Sequence, residues 1–349
     1  MAQGSQDRGA PAILVAGPTA SGKSGLALAI AEAFAGTVIN ADALQVYRDL
    51  RILSARPGPD EERAAPHRLY GILPASERCS AGAWRALALA EIAAAQAAGR
   101  LPVLAGGSGL YIKALEQGLA AIPQVPEALR ATGEELYARL GGAAFRAALV
   151  ARDPASARLA ANDRQRLVRA WEVLEASGRS LASWQAGQGS TEPGLRWLRL
   201  VLLPPRERLY EACERRFRAM VGAGALDEVR ALLALGLDPR LPAMKAVGVP
   251  EFGRHLAGAI DLETAIAQGE GATRRYAKRQ TTWLRGQMGL KQAILPGGAV
   301  AAEGGDRLIS AANYGGPASQ TRLIAAQYSE RLKESIFSII RRFLLTGRG

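Results

Sequence analysis

The chain has 349 residues, of which 48% are hydrophobic and 22% charged, and its formal net charge is +12. Such a chain can bury a core without cross-links, which excludes a disordered segment and a disulfide-stabilised mini-protein. Its only cysteines, Cys79 and Cys213, and its two histidines are too few and too scattered for a zinc finger, and they favour a reducing compartment. Because no segment reads as a signal peptide or a membrane span, we expect a cytoplasmic protein.

The positive charge is concentrated in one part of the chain. Residues 197–296 contain 16 basic and 10 acidic residues, which is half of the net excess. A basic excess of this kind favours a polyanionic partner such as a nucleic acid. The alternative is compositional, since a GC-rich genome also encodes many Ala and Arg residues. Charge alone does not decide between these two explanations.

The first part of the chain alternates short apolar runs with helical patterns. Residues 12–16 and 37–39 predict buried strands, and residues 101–105 predict a third strand. Apolar helical patterns follow the first strand and occupy residues 81–98, where Gly99 ends the helix. Strands that alternate with helices predict an α/β fold with a parallel sheet flanked by helices.

The middle of the chain interrupts this alternation. Residues 119–196 contain Arg-rich helical segments and no strand pattern, which predicts an inserted all-helical domain. A strand returns at residues 197–205 and is followed by long helices to about residue 289. We therefore predict a core that is built from residues 11–118 and 197–296, with residues 119–196 as the insertion.

The tail, residues 297–349, predicts a Gly/Ala-rich linker and a final helix around residues 322–345. Apolar residues recur there every three or four positions, so one face of the helix is apolar. We expect this face to dock on the body of the protein or on a second subunit. The alternative is a role at a membrane surface, because the apolar run is too short to span a bilayer.

A phosphate-binding motif lies between the first strand and the first helix. The segment GPTASGKS satisfies G-x-x-x-x-G-K-S in the strand-to-helix context that this motif requires. Its glycines let backbone N–H groups turn towards phosphate oxygens, and the helix N-terminus adds positive potential. Lys23 supplies a point charge, and the Ser24 hydroxyl can hold Mg²⁺, the one cofactor that we expect. We call this segment the phosphate loop; its residues are Gly17, Pro18, Thr19, Ala20, Ser21, Gly22, Lys23 and Ser24.

The usual nucleotide-hydrolysis residues do not accompany this motif. A nucleoside triphosphatase of this class needs an acidic residue at the end of a later strand. The strand at 101–105 ends instead in Gly106, Gly107 and Ser108, and the strand at 197–203 ends in two prolines. Only the second strand delivers a carboxylate, Asp42. The sequence therefore predicts phosphate binding without the usual apparatus for hydrolysis, on a P-loop NTPase-like core.

Seven blocks in order resemble the bacterial tRNA dimethylallyltransferases, also called tRNA isopentenyltransferases. The resemblance covers roughly residues 11–296 and implies transfer of a dimethylallyl group from dimethylallyl diphosphate to N6 of an adenine in tRNA. That adenine lies immediately 3′ of the anticodon, so the implied partner is the tRNA anticodon stem-loop, and we expect a monomer. The blocks are GPTASGKS, NADALQVYRDL at 40–50, PHRLYGI at 66–72, LPVLAGGSGLYIKAL at 101–115, NDRQRLVRAWEVLEASGRSL at 162–181, RERLYEACERRFRAM at 206–220 and TRRYAKRQTTWLRGQ at 273–287.

The resemblance implies catalytic roles for three residues outside the phosphate loop. Asp42 would accept the proton of the attacking amine, a role that suits a carboxylate. Ser108 stands at the family's usual threonine position, which contacts the bridging oxygen of the leaving diphosphate, and Arg216 would grip the same anion. The alternatives are a helix cap or metal ligand for Asp42, a turn residue for Ser108 and an ordinary surface charge for Arg216.

The resemblance also implies contacts with tRNA, whose target base must leave its stack to react. A basic run that partly has helical spacing predicts binding to the phosphate backbone, and a solvated or internally paired face is the alternative. Its residues are Arg274, Arg275, Lys278, Arg279 and Arg285, interleaved with Tyr276 and Trp283. The other implied tRNA contacts are Ala43, Leu44, Gln45, Arg130, Asn162, Asp163, Arg164, Gln165, Arg166, Lys245, Ala246, Val247, Gly248, Val249 and Pro250.

Three positions depart from the family pattern. SARP at 54–57 stands where relatives usually have TAKP, Ala83 where an acidic residue is common, and Val249 where tyrosine is common.

Two rival functions remain. A small-molecule kinase would place ATP on the phosphate loop, and a non-catalytic RNA-binding module would carry the loop as a relic. The kinase leaves the helical insertion and the basic blocks unexplained, and the intact Lys23 and Ser24 argue against a relic.

Overall fold

The structure is a computed structural model that describes residues 9–187, 194–288, 308–310, 320–325 and 328–346. The chain divides into two compact units. The larger unit comprises Met1–Leu115 and Pro193–Gly349, and the smaller unit is Glu116–Glu192.

A seven-stranded sheet runs through the larger unit in the order β3-β2-β4-β1-β5-β7-β6. All neighbouring strands are parallel except β6, which is antiparallel to β7. In the central register, Ile13 of β1 lies opposite Val103 on one side and Leu198 on the other. The strands are β1 (Ala10–Ala16), β2 (Gly36–Asn40), β3 (His67–Arg68), β4 (Leu101–Gly106), β5 (Leu195–Leu202), β6 (Leu308–Ser310) and β7 (Gln320–Ile324).

Helices flank this sheet, as the alternating pattern predicts. Those of the first segment are α1 (Lys23–Ala33), α2 (Pro59–Ala64), α3 (Ala81–Ala97) and α4 (Gly109–Gln117). Those after β5 are α8 (Arg206–Gly222), α9 (Ala225–Ala234), α10 (Val249–Leu256), α11 (Leu262–Gln287) and α12 (Glu330–Leu345). Within the described residues, no helix is both long and apolar enough to cross a membrane.

Two hydrophobic cores lie on opposite faces of the sheet, because successive side chains of a strand point to opposite faces. Leu14 belongs to the core that contains Trp84 of α3 and Phe252 of α10. Ile13 belongs to the other core, which contains Ile30 of α1. The sheet is therefore buried on both faces, so its central strands β1 and β4 are continuous apolar runs.

The tail contributes more than the predicted linker and helix. Residues 320–324 form β7, which extends the sheet beyond β5, and residues 308–310 form β6. We predicted neither strand, because both are short and Ile324 also fits the helical spacing of the residues that follow it. The apolar face of α12 docks on the second core through Leu332, Ile336 and Phe343. The predicted linker lies mostly outside the described residues.

The described elements of the smaller unit are all helical. They are α5 (Glu127–Arg152), a short 3₁₀ turn at Pro154–Arg158, α6 (Arg164–Ser177) and α7 (Leu181–Ala186). Helix α5 is interrupted at Gly141, whose φ of 73° is outside the helical range. The smaller unit has a small hydrophobic core of its own, which contains Phe145 and Leu167, both fully buried.

Candidate active site

The phosphate loop connects β1 to α1 and contains two residues in the left-handed region. Ala20 has a φ of 63° and Gly22 a φ of 87°. Helix α1 begins at Lys23, whose side chain is 7% exposed. Burial lowers the pKa of Lys23 to about 8, although the nearby Asp42 carboxylate acts in the opposite direction. The loop thus presents a buried cation at a helix N-terminus, an arrangement suited to an anion.

Gln280 of α11 ties the phosphate loop to the end of β4. The Thr19 N–H donates to Gln280 Oε1 at 2.8 Å, and Gln280 Nε2 donates to the Gly107 carbonyl at 3.1 Å. A Cβ at Gly107 would lie 2.7 Å from the Gly17 carbonyl, so only glycine fits this approach. Sequence reasoning assigned no role to Gln280, although it belongs to a matching block.

Asp42 follows β2, and the side chain of Asn40, two residues earlier, forms hydrogen bonds with its backbone. The Asp42 N–H donates to Asn40 Oδ1 at 2.7 Å, and Asn40 Nδ2 donates to the carbonyls of Asp42 and Leu69, each at 3.0 Å. Asp42 Oδ1 accepts the Leu44 N–H at 3.1 Å, whereas Oδ2 accepts no hydrogen bond from the described part of the chain. One carboxylate oxygen thus orients the side chain while the other remains available.

Ser108 lies next to Asp42 because β4 and β2 converge at their carboxyl ends. A Cβ at Gly106 would overlap the Ala41 carbonyl, so glycine permits the convergence. Ser108 Oγ accepts the Ala43 N–H at 2.8 Å, which leaves the hydroxyl proton free to be donated. The hydroxyl of Tyr276 on α11 also interacts with Ser108, and the Asp42 charge, together with burial, raises the pKa of Tyr276.

A pocket opens beside these residues, and its wall combines polar and apolar side chains. Arg216 of α8 lies in this wall within electrostatic reach of Asp42 and Lys23; burial lowers its pKa and Asp42 opposes the effect. Cys213, one turn earlier on α8, is buried, and burial raises its pKa to about 11, so its thiol is protonated near neutrality. The lining residues are Thr19, Asp42, Leu44, Leu53, Ser54, Cys213, Arg216, Phe217, Met220, Val247, Thr273 and Tyr276.

Three of the predicted groups therefore converge on one site: the phosphate loop, Asp42 and Arg216. A metal site built from protein side chains alone is absent, since no three His, Cys, Asp or Glu residues cluster in the described ranges. Ser24 is exposed at the start of α1, so its hydroxyl is accessible to an ion. One hydroxyl fits Mg²⁺ only if most ligands come from substrate oxygens and water, which is how this ion is commonly held at phosphate sites.

The predicted tRNA contacts of the larger unit differ in their exposure. Lys245 and Pro250 are exposed, and Leu44 and Val247 line the pocket. The side chains of Ala246 and Val249 pack in the core, and the Gln45 amide donates to the carbonyls of Ser54 and Ala55 at 2.9 Å. Side-chain contacts with RNA at these three buried positions are therefore excluded, although their backbone and the exposed neighbours are not affected.

The basic run on α11 is partly paired. Arg274 forms an ion pair with Glu214 of α8, so its charge is already compensated within the protein. Arg275 and Lys278 are exposed. For Arg274 the alternative of an internally paired face therefore holds, because α8 places a carboxylate beside it. Phosphate binding by Arg275 and Lys278 stays a prediction.

The smaller unit carries the remaining predicted contacts. Asn162, Arg164, Gln165 and Arg166 are exposed. Asp163 caps α6 by accepting the Arg166 N–H at 3.2 Å. Arg164 pairs with Glu134, and Arg130 pairs with Glu127 at 3.2 Å, but both arginines remain more than two-fifths exposed. Surface pairs of this kind contribute little and are readily exchanged for phosphates.

The departures from the family pattern have local structural roles. Arg56 of SARP donates to the carbonyls of Tyr47 and Arg48, at 3.1 and 3.3 Å, and therefore holds its own loop. Ala83 is exposed in the first turn of α3, where its N–H donates to Ser80 Oγ. Val249 is buried at the start of α10. Of these positions only Ser54, the first residue of SARP, lies in the wall of the pocket.

Comparison with known proteins bears on what this site does. Residues 45–287 match the family model described as IPP transferase. The chain is 57% identical over 292 residues to the tRNA dimethylallyltransferase of Rhodospirillum centenum, with 83% of this chain and 93% of the relative covered. It is 56% identical over 282 residues to that of Rhodospirillum rubrum, with 80% and 86% covered.

Solved structures are also similar. The full-length tRNA isopentenylpyrophosphate transferase from Bacillus halodurans has a TM-score of 0.62 and 28% identity, with 97% of each chain covered. A eukaryotic dimethylallyltransferase acting on tRNA has a TM-score of 0.68 and 26% identity, with 78% of this chain and 69% of that chain covered. These similarities confirm the predicted P-loop NTPase-like fold class.

Proposed function

This chain belongs to the IPP transferase family, and on that premise we propose that it prenylates an adenine next to the anticodon of tRNA. It is a prenyltransferase, and its relatives act on tRNA. The proposed donor is dimethylallyl diphosphate, and the proposed acceptor is N6 of the adenine immediately 3′ of the anticodon. The single observation that supports this reaction best is the convergence of the phosphate loop, Asp42 and Arg216 on a pocket with an apolar wall.

The phosphate loop holds the diphosphate in this proposal. Its backbone N–H groups and the N-terminus of α1 bind the anion, and Lys23 and Arg216 compensate its charge. These two cations lie near each other, and burial lowers the pKa of each. Because their positive charges repel each other, an anion bound between them stabilises both. The carboxylate of Asp42 is their counter-charge before the donor binds.

Transfer exchanges one bond for another. The exocyclic nitrogen of adenine attacks C1 of the dimethylallyl group, and the bond from C1 to the bridging oxygen breaks, so diphosphate leaves with the electron pair. Asp42 accepts the N–H proton through its available oxygen. Ser108, whose Oγ is held by the Ala43 N–H that it accepts, donates its hydroxyl proton in a hydrogen bond to the bridging oxygen.

The apolar part of the pocket wall suits the hydrocarbon of the donor. Leu53, Phe217 and Met220 lie in that wall and exclude water from the reacting carbon. We also propose that Ser24 is the protein ligand to Mg²⁺. When bound, the ion neutralises part of the diphosphate charge.

The exposed basic residues provide the proposed tRNA contacts. Arg275 and Lys278 on the larger unit bind backbone phosphates, as do Arg164 and Arg166 on the smaller unit. Each proposed catalytic residue comes from one chain, so a monomer suffices. Because tRNA is the substrate, we propose that the enzyme acts in the cytoplasm.

The experiment for this proposal maps the product. Unmodified tRNA is incubated with the full chain, dimethylallyl diphosphate and Mg²⁺, and nuclease fragments are sequenced by mass spectrometry. We expect one dimethylallyl group on the adenine that follows the anticodon, and far less of this product in the same time with the Asp42→Asn variant. Modification of another base, or unchanged tRNA with the native chain, would overturn the proposed acceptor.

A further inference from the structure

The phosphate loop needs external support because of its backbone conformation. Ala20 and Gly22 both have positive φ values, and for a residue with a Cβ this conformation is unfavourable. Such a loop keeps one conformation only when its surroundings fix it. Gln280 fixes one side, through the Thr19 N–H.

A residue from the tail contacts the other side of the loop. The Tyr328 N–H donates to the Ser21 carbonyl at 3.2 Å. A Cβ added at Gly22 would lie 2.9 Å from Tyr328 Cβ, and one at Gly25 would lie 3.7 Å from the Tyr328 ring. The backbone of Tyr328 thus packs on Gly22 and its ring covers Gly25, in the first turn of α1.

Tyr328 is anchored on both sides along the chain. Before it, β7 pairs with β5 in parallel register, and the Leu203 N–H donates to the Ile324 carbonyl at 2.9 Å. After it, α12 packs its apolar face on the second core, beginning with Leu332, four residues after Tyr328. The described part of the tail therefore belongs to the folded body and holds Tyr328 against the phosphate loop.

We propose that Tyr328 is a positioning residue that holds the phosphate loop in its diphosphate-binding conformation. The inference rests on the proposed function of that loop. It assigns to the tail a role in positioning the loop, which is separate from the roles of the catalytic residues. Tyr328 acts through Ser21, Gly22 and Gly25 and not on the substrate. Replacing Tyr328 by alanine keeps its backbone donor to Ser21 but removes the ring from Gly25. Diphosphate binding should weaken, because the first turn of α1 loses its cover and has to be ordered when the anion binds.

The test compares Tyr328→Ala, Tyr328→Leu and Tyr328→Phe with Phe337→Leu as the matched control. Phe337 lies on the same tail, but it packs at the opposite end of α1 from the phosphate loop. The readouts are the affinity for inorganic diphosphate with Mg²⁺ by calorimetry, the KM values for both substrates, and amide hydrogen exchange of residues 19–25. If the Tyr328→Ala variant does not fold, the Tyr328→Leu variant takes its place in the comparison.

We expect Tyr328→Ala to weaken diphosphate binding and raise the KM for dimethylallyl diphosphate about 3- to 30-fold, with faster exchange in the loop and an unchanged KM for tRNA. Tyr328→Phe, which keeps the ring on Gly25, should lose less diphosphate affinity than Tyr328→Ala, and Phe337→Leu should lower Tm without changing diphosphate affinity. Equal affinity in Tyr328→Ala, or equal losses in Tyr328→Ala and Phe337→Leu, would overturn the inference. A native chain that does not bind diphosphate would instead overturn the proposed function.

Discussion

Three charged residues account for the chemistry at the residue scale. Lys23 and Arg216 are two cations in one partly buried site, and Asp42 is the carboxylate that offsets them. The fold brings them together from α1, α8 and the end of β2. Since they serve different steps, substitutions at Asp42 and Lys23 should have different kinetic consequences.

Asp42→Asn should separate chemistry from binding. The amide keeps the shape and the hydrogen bond to the Leu44 N–H, but it accepts no proton, so transfer should fall by about 10²- to 10⁴-fold. The affinity for dimethylallyl diphosphate, measured by calorimetry, should stay near that of the native chain. If affinity falls in parallel with the rate, or excess Mg²⁺ restores activity, Asp42 is a metal ligand and not the base.

Lys23 should impose a pH dependence on anion binding. Its ammonium is charged below its pKa of about 8 in the free protein, and a bound diphosphate raises that pKa, so the affinity for diphosphate should fall as the pH rises above about 8. Calorimetric titrations of inorganic diphosphate from pH 7 to 9 measure this loss. Lys23→Ala is the matched control, because it retains the titration of diphosphate itself but lacks the ammonium. Parallel profiles for the two proteins would exclude Lys23 as the titrating group.

At the element scale, loops are fixed by side chains from distant helices. Glu228 of α9 accepts the N–H groups of Arg51, Ile52 and Leu53 at 2.6, 2.7 and 2.9 Å. Leu53 also lines the pocket. One carboxylate therefore fixes part of the pocket wall from 175 residues away in the sequence.

Glu228→Ala should release that loop. Three backbone donors lose a charged acceptor, so we expect a loss of about 2 kcal/mol in the free energy of unfolding and a higher KM for dimethylallyl diphosphate. Urea denaturation and steady-state kinetics measure the two effects. Asp227→Ala is the control, since Asp227 is exposed on the same helix and pairs with the exposed Arg230. Equal effects of both substitutions would show that the loop does not depend on Glu228.

Helix α11 should contribute to tRNA binding through its exposed cations. Replacing Arg275 and Lys278 together with alanine should reduce the dependence of tRNA affinity on salt by about 0.7 to 0.9 in logarithmic slope for each lost phosphate contact. Filter binding from low to moderate salt gives the slope. Arg274→Ala is the comparison, and its slope should change less because Arg274 pairs with Glu214. An unchanged slope in the double variant would place the RNA footprint elsewhere.

Across the whole molecule, features that a continuous stretch of sequence determines could be predicted, whereas contacts between residues far apart in the sequence could not. The phosphate loop was predicted because one continuous motif specifies both its conformation and its chemistry. The resemblance to tRNA dimethylallyltransferases, which seven blocks carried, is confirmed. Gln280 and Tyr328 could not be assigned, because each supports a loop some 260 to 300 residues earlier and no local pattern marks the partner. Strand β7 was missed for a related reason, since it becomes a strand only by pairing with β5.

In the proposed reaction the phosphate loop binds an isoprenoid diphosphate and not ATP. The most direct measurement incubates the full chain with unmodified tRNA and dimethylallyl diphosphate labelled in the hydrocarbon, with and without excess ATP. We predict label on adenosine in the tRNA digest, little competition by ATP and no ATP turnover. Unlabelled tRNA together with ATP-dependent phosphorylation of a small molecule would contradict the account and favour a kinase.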